Sequence, residues 1–326
     1  MFEVEPILWL QAFKAGWFFD LMTTLSWLGE GWLYTPAILL LAFAGKLRPA
    51  LALLLAMALT GALTDLAKAG FGLPRPSEVD ARVLDKNRSG RHLVEHGGAP
   101  GFFALPSDAA IAAARARPEP AFGFISGHTS AAAAFGLSLA LGFGGGRRRW
   151  IVLAVGAAVA MGLSRMHLGR HFLGDVLGGL ALGLGVAWWG AAWMRRLAGA
   201  GIGRWLPMSG IAAALVVASL ALGMPPPGSA GYVVGALLCI AWFERHGLPP
   251  APGTWWQRIA RGVCVLALGY GVMWLSGLAY EAGGWHDGHP VALLFACLGT
   301  ALVFIATAGA CRLLRLDRPS PAGPAR

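Results

Sequence analysis

The feature that most constrains the fold of this chain is the length of its uncharged stretches. Apolar segments of about 20 residues follow one another along most of the sequence, and charged residues gather in short clusters between them. Charged residues make up only 13% of the 326 residues, whereas soluble domains carry roughly 25%. Because lipid-exposed backbone must satisfy its own hydrogen bonds, the sequence predicts an all-α, polytopic membrane helical bundle.

About nine stretches are apolar and long enough to be predicted as transmembrane helices. Before them, residues 6–27 are apolar but interrupted by Gln11, Lys14 and Asp20. We interpret this stretch as an amphipathic helix in the membrane interface, with a first span as the alternative. The predicted spans are 31–45, 49–69, 126–143, 150–164 and 175–194, followed by 208–224, 231–243, 263–280 and 290–311.

The spans fall into two groups, which suggests a division of the chain. We predict a membrane core at 1–197, a C-terminal extension of further spans at 205–311 and a cytoplasmic tail at 312–326. The core contains a long connection at 70–125, with a short helix predicted after Ser107. Connections of this length are usually functional or disordered, and we expect a partly ordered cap over a functional site.

The lysines and arginines of the short connections predict the orientation of the spans. Every second connection is basic and is predicted to be cytoplasmic, so the net charge of +10 reflects topology rather than a nucleic-acid surface. The alternate connections, 70–125, 165–174, 225–230 and 281–289, are predicted to be extracytoplasmic. The basic residues are Lys46, Arg48, Arg147, Arg148, Arg149, Arg195, Arg196, Arg204, Arg245, Arg258, Arg261, Arg312, Arg315 and Arg318.

Two sets of small residues are predicted to serve packing. The four cysteines lie in or beside the late apolar segments without CxxC spacing, so free thiols are favoured over a disulfide or a metal site. Three glycines after position 175 have the spacing of close helix packing. These residues are Cys239, Cys264, Cys297 and Cys311, and Gly178, Gly179 and Gly183.

The first candidate functional motif lies at the outer end of the second predicted span. Lys68 stands seven residues before Arg75, which is followed by Pro76. The lysine could simply extend to the interface, or pair with Asp65 one turn earlier. The arginine is more suggestive, because its planar guanidinium group matches phosphate oxygens in a bidentate way.

The second motif is Ser126-Gly127-His128, at the start of the third predicted span. The free N–H groups of a helix N-terminus, with a glycine that allows close approach, form a cradle for an anion. His128 would lie within reach of that anion. The alternative is that His128 is only a polar residue at the membrane boundary.

The third motif contains Arg165, His171 and Asp175 at the start of the fifth predicted span. His171 and Asp175 are four residues apart and can share a helix face. The carboxylate would then bind one imidazole nitrogen and leave the other as a nucleophile. His167 is the rival nucleophile, but it has no aspartate four residues later.

The predicted alternation of the connections places all three motifs on one side of the membrane. Several cations, two histidines and a carboxylate at one face fit a bound oxyanion with several negative oxygens. A metal site of His128, His167 and His171 is the competing interpretation, but the neighbouring lysine and arginines would repel a cation. We therefore predict neither a metal nor another cofactor.

These motifs resemble those of the type 2 phosphatidic acid phosphatase superfamily, which shares its core with the vanadium haloperoxidases. The family pattern is Lys, six residues and Arg-Pro; then Pro-Ser-Gly-His; then Ser-Arg, five residues, His, three residues and Asp. All three motifs occur in order and at this spacing, and the match covers roughly 1–197. Ile125 stands where the family usually has proline. The resemblance implies an acid phosphatase/haloperoxidase-like helical core.

The resemblance also implies a role for each residue. His171 would attack phosphorus and form a phosphohistidine, with Asp175 supporting it. His128 would protonate the leaving oxygen and then activate water. No metal would be needed, and the phosphate oxygens would be bound by Lys68, Arg75, Arg165, Ser126 and the backbone of Gly127.

The function implied is that of a membrane-bound lipid phosphatase at the extracytoplasmic face of the plasma (bacterial inner) membrane. Candidate substrates are undecaprenyl diphosphate, phosphatidylglycerophosphate, phosphatidic acid, sphingoid-base phosphates and lipid A phosphates. One alternative is a phosphotransferase, in which a lipid hydroxyl replaces water. The other is a non-catalytic transporter or scaffold, which the extra predicted spans at 208–311 suggest. Those spans lack the buried charges expected along a translocation path.

Overall fold

A computed structural model of the chain describes residues 1–85, 93–117, 121–197, 205–247, 253–286 and 288–317. Within these ranges the regular structure is helical, apart from one isolated β-bridge between Asp80 and His96. The predicted all-α fold class is confirmed. Arg204, Arg318 and residues 318–326 of the predicted tail lie outside the described residues.

Helices of 4 to 25 residues make up the first part of the chain, and apolar helices of 17 to 29 residues make up the second. The helices of the first part are α1 (Glu5–Gln11), α2 (Gly16–Trp27), α3 (Gly31–Leu40) with a π-helical turn (Leu41–Gly45), α4 (Leu47–Phe71), α5 (Pro76–Val79), α6 (Asp108–Arg115), α7 (Gly127–Gly142), α8 (Arg148–His167) and α9 (Leu173–Leu197). Those of the second part are α10 (Leu206–Leu222), α11 (Pro227–His246), α12 (Trp255–Gly283) and α13 (Val291–Leu313).

The chain is a multi-pass membrane protein. Among the described residues, 6 helices are long and apolar enough to cross a membrane, and the pair Gly16–Trp27 and Gly31–Gly45 would add one more if it forms a single broken span. The remaining predicted spans are helical but short: α7 has 16 residues and α10 has 17, against about 20 for a full crossing. The predicted count of about nine is therefore not confirmed.

The N-terminal stretch differs from the single interfacial helix predicted for residues 6–27. It forms two helices, α1 and α2, with extended backbone at Ala15 between them. Gln11, one of the polar residues behind the prediction, is buried, and its amide donates to the carbonyls of Leu84 (2.7 Å) and His167 (3.0 Å). A polar residue that binds backbone inside the protein does not mark a water-facing side of a helix.

Two compact units divide the described chain, and their membership differs from the contiguous division that we predicted. The first unit comprises Met1–Gly31, Leu63–Leu141 and Gly146–Trp188, and the second contains the other described residues. Residues 32–62 join the second unit because they pack on its later helices. The Phe43 and Phe304 rings lie 5.7 Å apart, and a Cβ at Gly262 would lie 3.1 Å from Leu40. All three candidate motifs lie in the first unit.

The long connection at 70–125 contributes to the hydrophobic core of the first unit. As predicted, a short helix, α6, begins after Ser107, whose hydroxyl accepts a hydrogen bond from the Ala110 amide (3.3 Å). The described parts of the connection are ordered, because their apolar residues pack around the start of α9. The core residues are Phe2, Val4, Ile7, Leu73, Val79, Val83, Ala99, Ala110, Met166, Phe172 and Val176.

Glycines bring α9 into close contact with the beginning of α7. A Cβ at Gly179 would lie 2.7 Å from the Ser126 carbonyl, and one at Gly183 would overlap the Ser130 carbonyl. A Cβ at Gly178 would collide with the Ile125 side chain. The predicted packing role of these glycines is confirmed.

The second unit is also built on close helix contacts. A Cβ at Gly235 of α11 would lie 2.8 Å from the Cys297 carbonyl of α13. Cys239, Cys297 and Cys311 are buried, Cys264 is partly buried, and all four are free thiols, as predicted.

We expect Gly183→Ala to destabilise the protein by about 1–3 kcal/mol, because the new methyl group would press on the α7 backbone. Thermal unfolding in detergent micelles would measure the change. Gly185→Ala is the matched control on the same helix, since nothing lies within 4 Å of its Cβ position. Equal stability of the two variants would contradict the close contact between α7 and α9.

Candidate functional site

A buried histidine–carboxylate pair lies at the turn between α8 and α9. Asp175 belongs to the first turn of α9, and its Oδ2 accepts a hydrogen bond from the Phe172 amide (2.9 Å). The same oxygen lies 3.2 Å from Nδ1 of His171. Asp175 is fully buried and His171 is 2% exposed. The spacing of four residues therefore produces the predicted contact.

This contact determines which histidine nitrogen is available for chemistry. If Nδ1–H donates to Asp175, the Nε2 lone pair remains for attack on an electrophile. Burial lowers the pKa of His171 well below its ordinary value, and the positive charges of Arg165, Arg75 and Lys68 lower this pKa further. His171 therefore stays neutral over a wide range of pH, which is the state that a nucleophile requires.

His167, the rival nucleophile, has a different environment. Its Nδ1 lies 3.1 Å from the Leu10 carbonyl, and its ring packs against Phe18 with centroids 5.0 Å apart. The side chain is completely buried among the N-terminal helices. These contacts give His167 a place in packing, and they favour His171 as the reactive residue.

The second motif is joined directly to the third. The Ser126 amide donates to the Asp175 carbonyl (3.0 Å), and the buried Ser126 hydroxyl accepts from Thr129 (2.9 Å). Ser126 thus precedes α7 at the point where α9 begins. The free amides of the first turn of α7 therefore lie close to the buried histidine–carboxylate pair.

The first motif approaches the same place from the end of α4. A Cβ at Gly127 would lie 3.7 Å from the Lys68 ammonium nitrogen, which places that cation beside the start of α7. The hydroxyl oxygen of Thr64, one turn earlier on α4, lies 3.0 Å from the hydroxyl oxygen of Ser130 on α7. This contact between α4 and α7 fixes where Lys68 can reach.

Gly123 brings the backbone after α4 close to the carboxylate. Its amide donates to the Leu73 carbonyl (2.8 Å). A Cβ at this position would lie 2.8 Å from the Pro74 carbonyl and 3.2 Å from Asp175 Oδ2. A side chain at position 123 would therefore separate the segment that carries Arg75 from the start of α9.

Arg75 is held by the residues that follow it. Its amide donates to the Glu78 carboxylate (2.9 Å), and its Nε donates to the Ala121 carbonyl (2.8 Å). Glu78 also forms an ion pair with Arg117. These contacts hold the backbone amide and Nε of Arg75, and the charge of its guanidinium group acts on His171.

Arg165 is held by α2. Its Nη1 donates to the Ser26 hydroxyl, and the neighbouring Ser164 hydroxyl donates to the Met22 carbonyl (2.6 Å). The Nε of Arg165 is buried and has no hydrogen-bond acceptor among the described residues. An arginine that buries a donor without an acceptor is suited to receive an anionic oxygen.

His128 has a partner that the sequence analysis did not identify. Its Nε2 lies 3.2 Å from Oε1 of Glu30, which stands 98 residues earlier. The sequence does contain a signal for Glu30, which is a charged residue between two glycines in an otherwise apolar run. An ionisable residue in such a run suggests a functional role. The sequence around Ser26, the partner of Arg165, contains no comparable signal.

The predicted site residues thus collect in the first unit. The Ser126–Asp175 backbone hydrogen bond joins motifs two and three, and the cations of motif one act on His171 from α4 and the connection after it. Within the described ranges, no three histidine, cysteine, aspartate or glutamate residues are grouped to hold a metal ion.

Comparison with known proteins agrees with the motif pattern. Residues 49–198 match a family model described as the PAP2 superfamily. No curated protein matches the chain. A crystal structure of a transmembrane PAP2-type phosphatidylglycerolphosphate phosphatase from Bacillus subtilis is similar at 21% identity and a TM-score of 0.42, over 60% of this chain and 85% of that one. A likeness at this level supports no conclusion about function.

We expect inorganic vanadate or phosphate to bind the purified protein, and Arg165→Ala to weaken that binding by roughly tenfold to a hundredfold, because a charge-assisted hydrogen bond is lost. Isothermal titration calorimetry would measure the affinity. Arg148→Ala, at the opposite end of the same helix and exposed, is the matched control. Equal weakening in both variants would mean that the effect is one of overall charge rather than of this site.

Proposed function

We propose that this chain, whose residues 49–198 match the PAP2 superfamily model, is a membrane-bound lipid phosphatase acting through a phosphohistidine. One observation carries this proposal. The His171–Asp175 pair is buried, the Asp175 carbonyl accepts the Ser126 amide, and the positive charges of Arg165, Arg75 and Lys68 act on His171. A neutral, oriented imidazole beside accumulated positive charge is suited to attack a phosphate group.

In the first step, Nε2 of His171 attacks phosphorus and the bond from phosphorus to the leaving oxygen breaks. His128 gives that oxygen a proton. Asp175 accepts the Nδ1–H of His171 throughout and stabilises the positive charge that the imidazole acquires as the P–N bond forms. Splitting the displacement through a covalent intermediate lowers each barrier.

In the second step, water replaces the leaving group. His128, now neutral, takes a proton from the water as its oxygen attacks phosphorus. The P–N bond breaks, its electron pair returns to His171, and inorganic phosphate is released. Each histidine then has its starting protonation state.

Positive charge at the site stabilises the transferring phosphoryl group. Phosphoryl transfer depends mainly on positioning and on electrostatic stabilisation of the equatorial oxygens. Lys68, Arg75 and Arg165 provide the charge, and Ser126 with the Gly127 backbone provides further donors. We infer that these side chains take the place of a metal ion and that the reaction is metal-independent.

A lipid substrate fits the position of the motifs along the chain. Lys68 is in the last turn of α4, Arg165 is in the last turn of α8, and Asp175 is in the first turn of α9; all three helices are candidate membrane spans. A site at such helix ends would admit a phosphate headgroup while the acyl chains remain in the bilayer. The alternation of basic connections supports the extracytoplasmic face of the plasma membrane.

We expect the purified protein to release inorganic phosphate from lipid phosphates or polyprenyl diphosphates presented in mixed micelles, and to do so in excess EDTA. A panel of these lipids, with a water-soluble phosphate monoester for comparison, would identify the class of substrate. Turnover of the soluble ester alone would overturn the lipid assignment. Transfer to a lipid hydroxyl without phosphate release would identify a phosphotransferase, and loss of activity in EDTA would contradict metal independence.

We expect His171→Ala to lower phosphate release by at least about a thousandfold, because the nucleophile is removed. Brief reaction with radiolabelled substrate should leave an acid-labile phosphoryl group on the wild-type protein and none on this variant. His246→Ala, an exposed histidine at the end of α11, is the control for loss of any histidine. Full activity of the His171→Ala protein would exclude the proposed mechanism.

A further inference from the structure

The break between α2 and α3 places a carboxylate against a proposed catalytic histidine. Glu30 lies between Gly29 and Gly31, and its Oε1 is 3.2 Å from Nε2 of His128. The His128 side chain is 22% exposed and the Glu30 side chain 49%. Glu30 itself lies outside the three motifs and outside the residues that match the superfamily.

The position of Glu30 is determined by the packing of α2 on α8. The Met22 carbonyl accepts the Ser164 hydroxyl, and Ser26 accepts from Arg165, so the end of α2 is tied to the third motif. A Cβ at Gly29 would lie 2.8 Å from both His128 Cδ2 and Met161 Cε. The backbone on which Glu30 stands therefore touches His128 directly.

Charge explains why a carboxylate is useful at this place. Burial is the largest effect on His128 and disfavours the charged imidazole, Arg165 and Lys68 are the cations that act on it, and Glu30 is the anion. Two neighbouring cations disfavour a proton on the imidazole, and a hydrogen-bonded carboxylate favours one. A general acid must hold its proton until the leaving oxygen needs it.

We propose that Glu30 is a positioning residue for His128, which it holds in the tautomer and charge state needed for general acid–base catalysis. The inference rests on the proposed function. The Glu30 carboxylate accepts the Nε2–H hydrogen bond, and Nδ1 of His128 faces the reaction. In the first step the Nδ1 proton passes to the leaving oxygen, which keeps the electron pair of the broken P–O bond. In the second step Nδ1 takes a proton from the attacking water, and Nε2–H stays with Glu30.

The test uses the dependence of rate on the leaving group, because a residue that only supports the fold would affect every substrate alike. We expect Glu30→Gln to lower kcat by at least about tenfold for an alkyl phosphate, whose leaving oxygen must be protonated. For p-nitrophenyl phosphate, whose leaving group departs as an anion, the loss should be several times smaller. Glu30→Asp, which keeps the charge, should recover part of the alkyl phosphate activity. All assays use the full chain in detergent micelles.

Two comparisons make the outcome decisive. Asp20→Asn makes the same chemical change at an exposed position on α2 and should leave both rates unchanged. His128→Ala should show a larger leaving-group dependence than Glu30→Gln. If His128→Ala shows this dependence and Glu30→Gln lowers both rates equally or neither, the role of Glu30 is wrong and the proposed function stands. If His128→Ala shows no such dependence, its assignment as general acid fails, and the inference about Glu30 fails with it.

Discussion

The site depends on one buried carboxylate, that of Asp175. Its side chain accepts the Phe172 amide and contacts His171, and its backbone carbonyl accepts the Ser126 amide. One residue therefore orients the proposed nucleophile and also joins the start of α9 to the start of α7. Loss of such a buried acceptor leaves its donors unsatisfied, at a cost of about 1–3 kcal/mol for each. The geometry of the second and third motifs follows from this residue.

Around this carboxylate the protein concentrates positive charge in a place of low polarity, which is unfavourable unless anions are near. Carboxylates from outside the motifs provide part of the compensation. Asp85 pairs with Arg170 at 3.2 Å, Glu78 pairs with Arg117, and Glu30 lies against His128. In the proposed function, the phosphate of a substrate would complete this balance and would accept from the Nε of Arg165, which has no acceptor among the described residues.

The long connection, which carries Arg75 of the first motif, and the N-terminal helices, which carry no motif residue, both serve this arrangement. The side-chain amide of Gln11 on α1 donates to the carbonyls of both Leu84 and His167, and it thereby joins the connection to the end of α8. Ser26 of α2 holds Arg165. The hydrophobic core of the first unit is shared between these segments and the start of α9. The residues around the candidate motifs are thereby fixed by packing.

The sequence by itself determined the features that depend on local spacing. A four-residue separation across the turn before α9 places His171 beside Asp175, the start of α7 leaves free amides near Ser126, and the glycines of α9 permit close packing. Each of these depends on residues that are near one another in the sequence. The length of the apolar runs likewise determined the membrane class. The predicted number of membrane spans was not confirmed, since α7 and α10 are shorter than a full crossing.

Only the tertiary structure decided which distant segments complete the site. Glu30 and His128 are 98 residues apart, Ser26 and Arg165 are 139 apart, and Gln11 and His167 are 156 apart. The grouping of residues 32–62 with the later helices could not be predicted from the sequence either. Contacts between remote segments arise from the packing of whole helices, and that packing leaves no periodic trace in the sequence around any one residue.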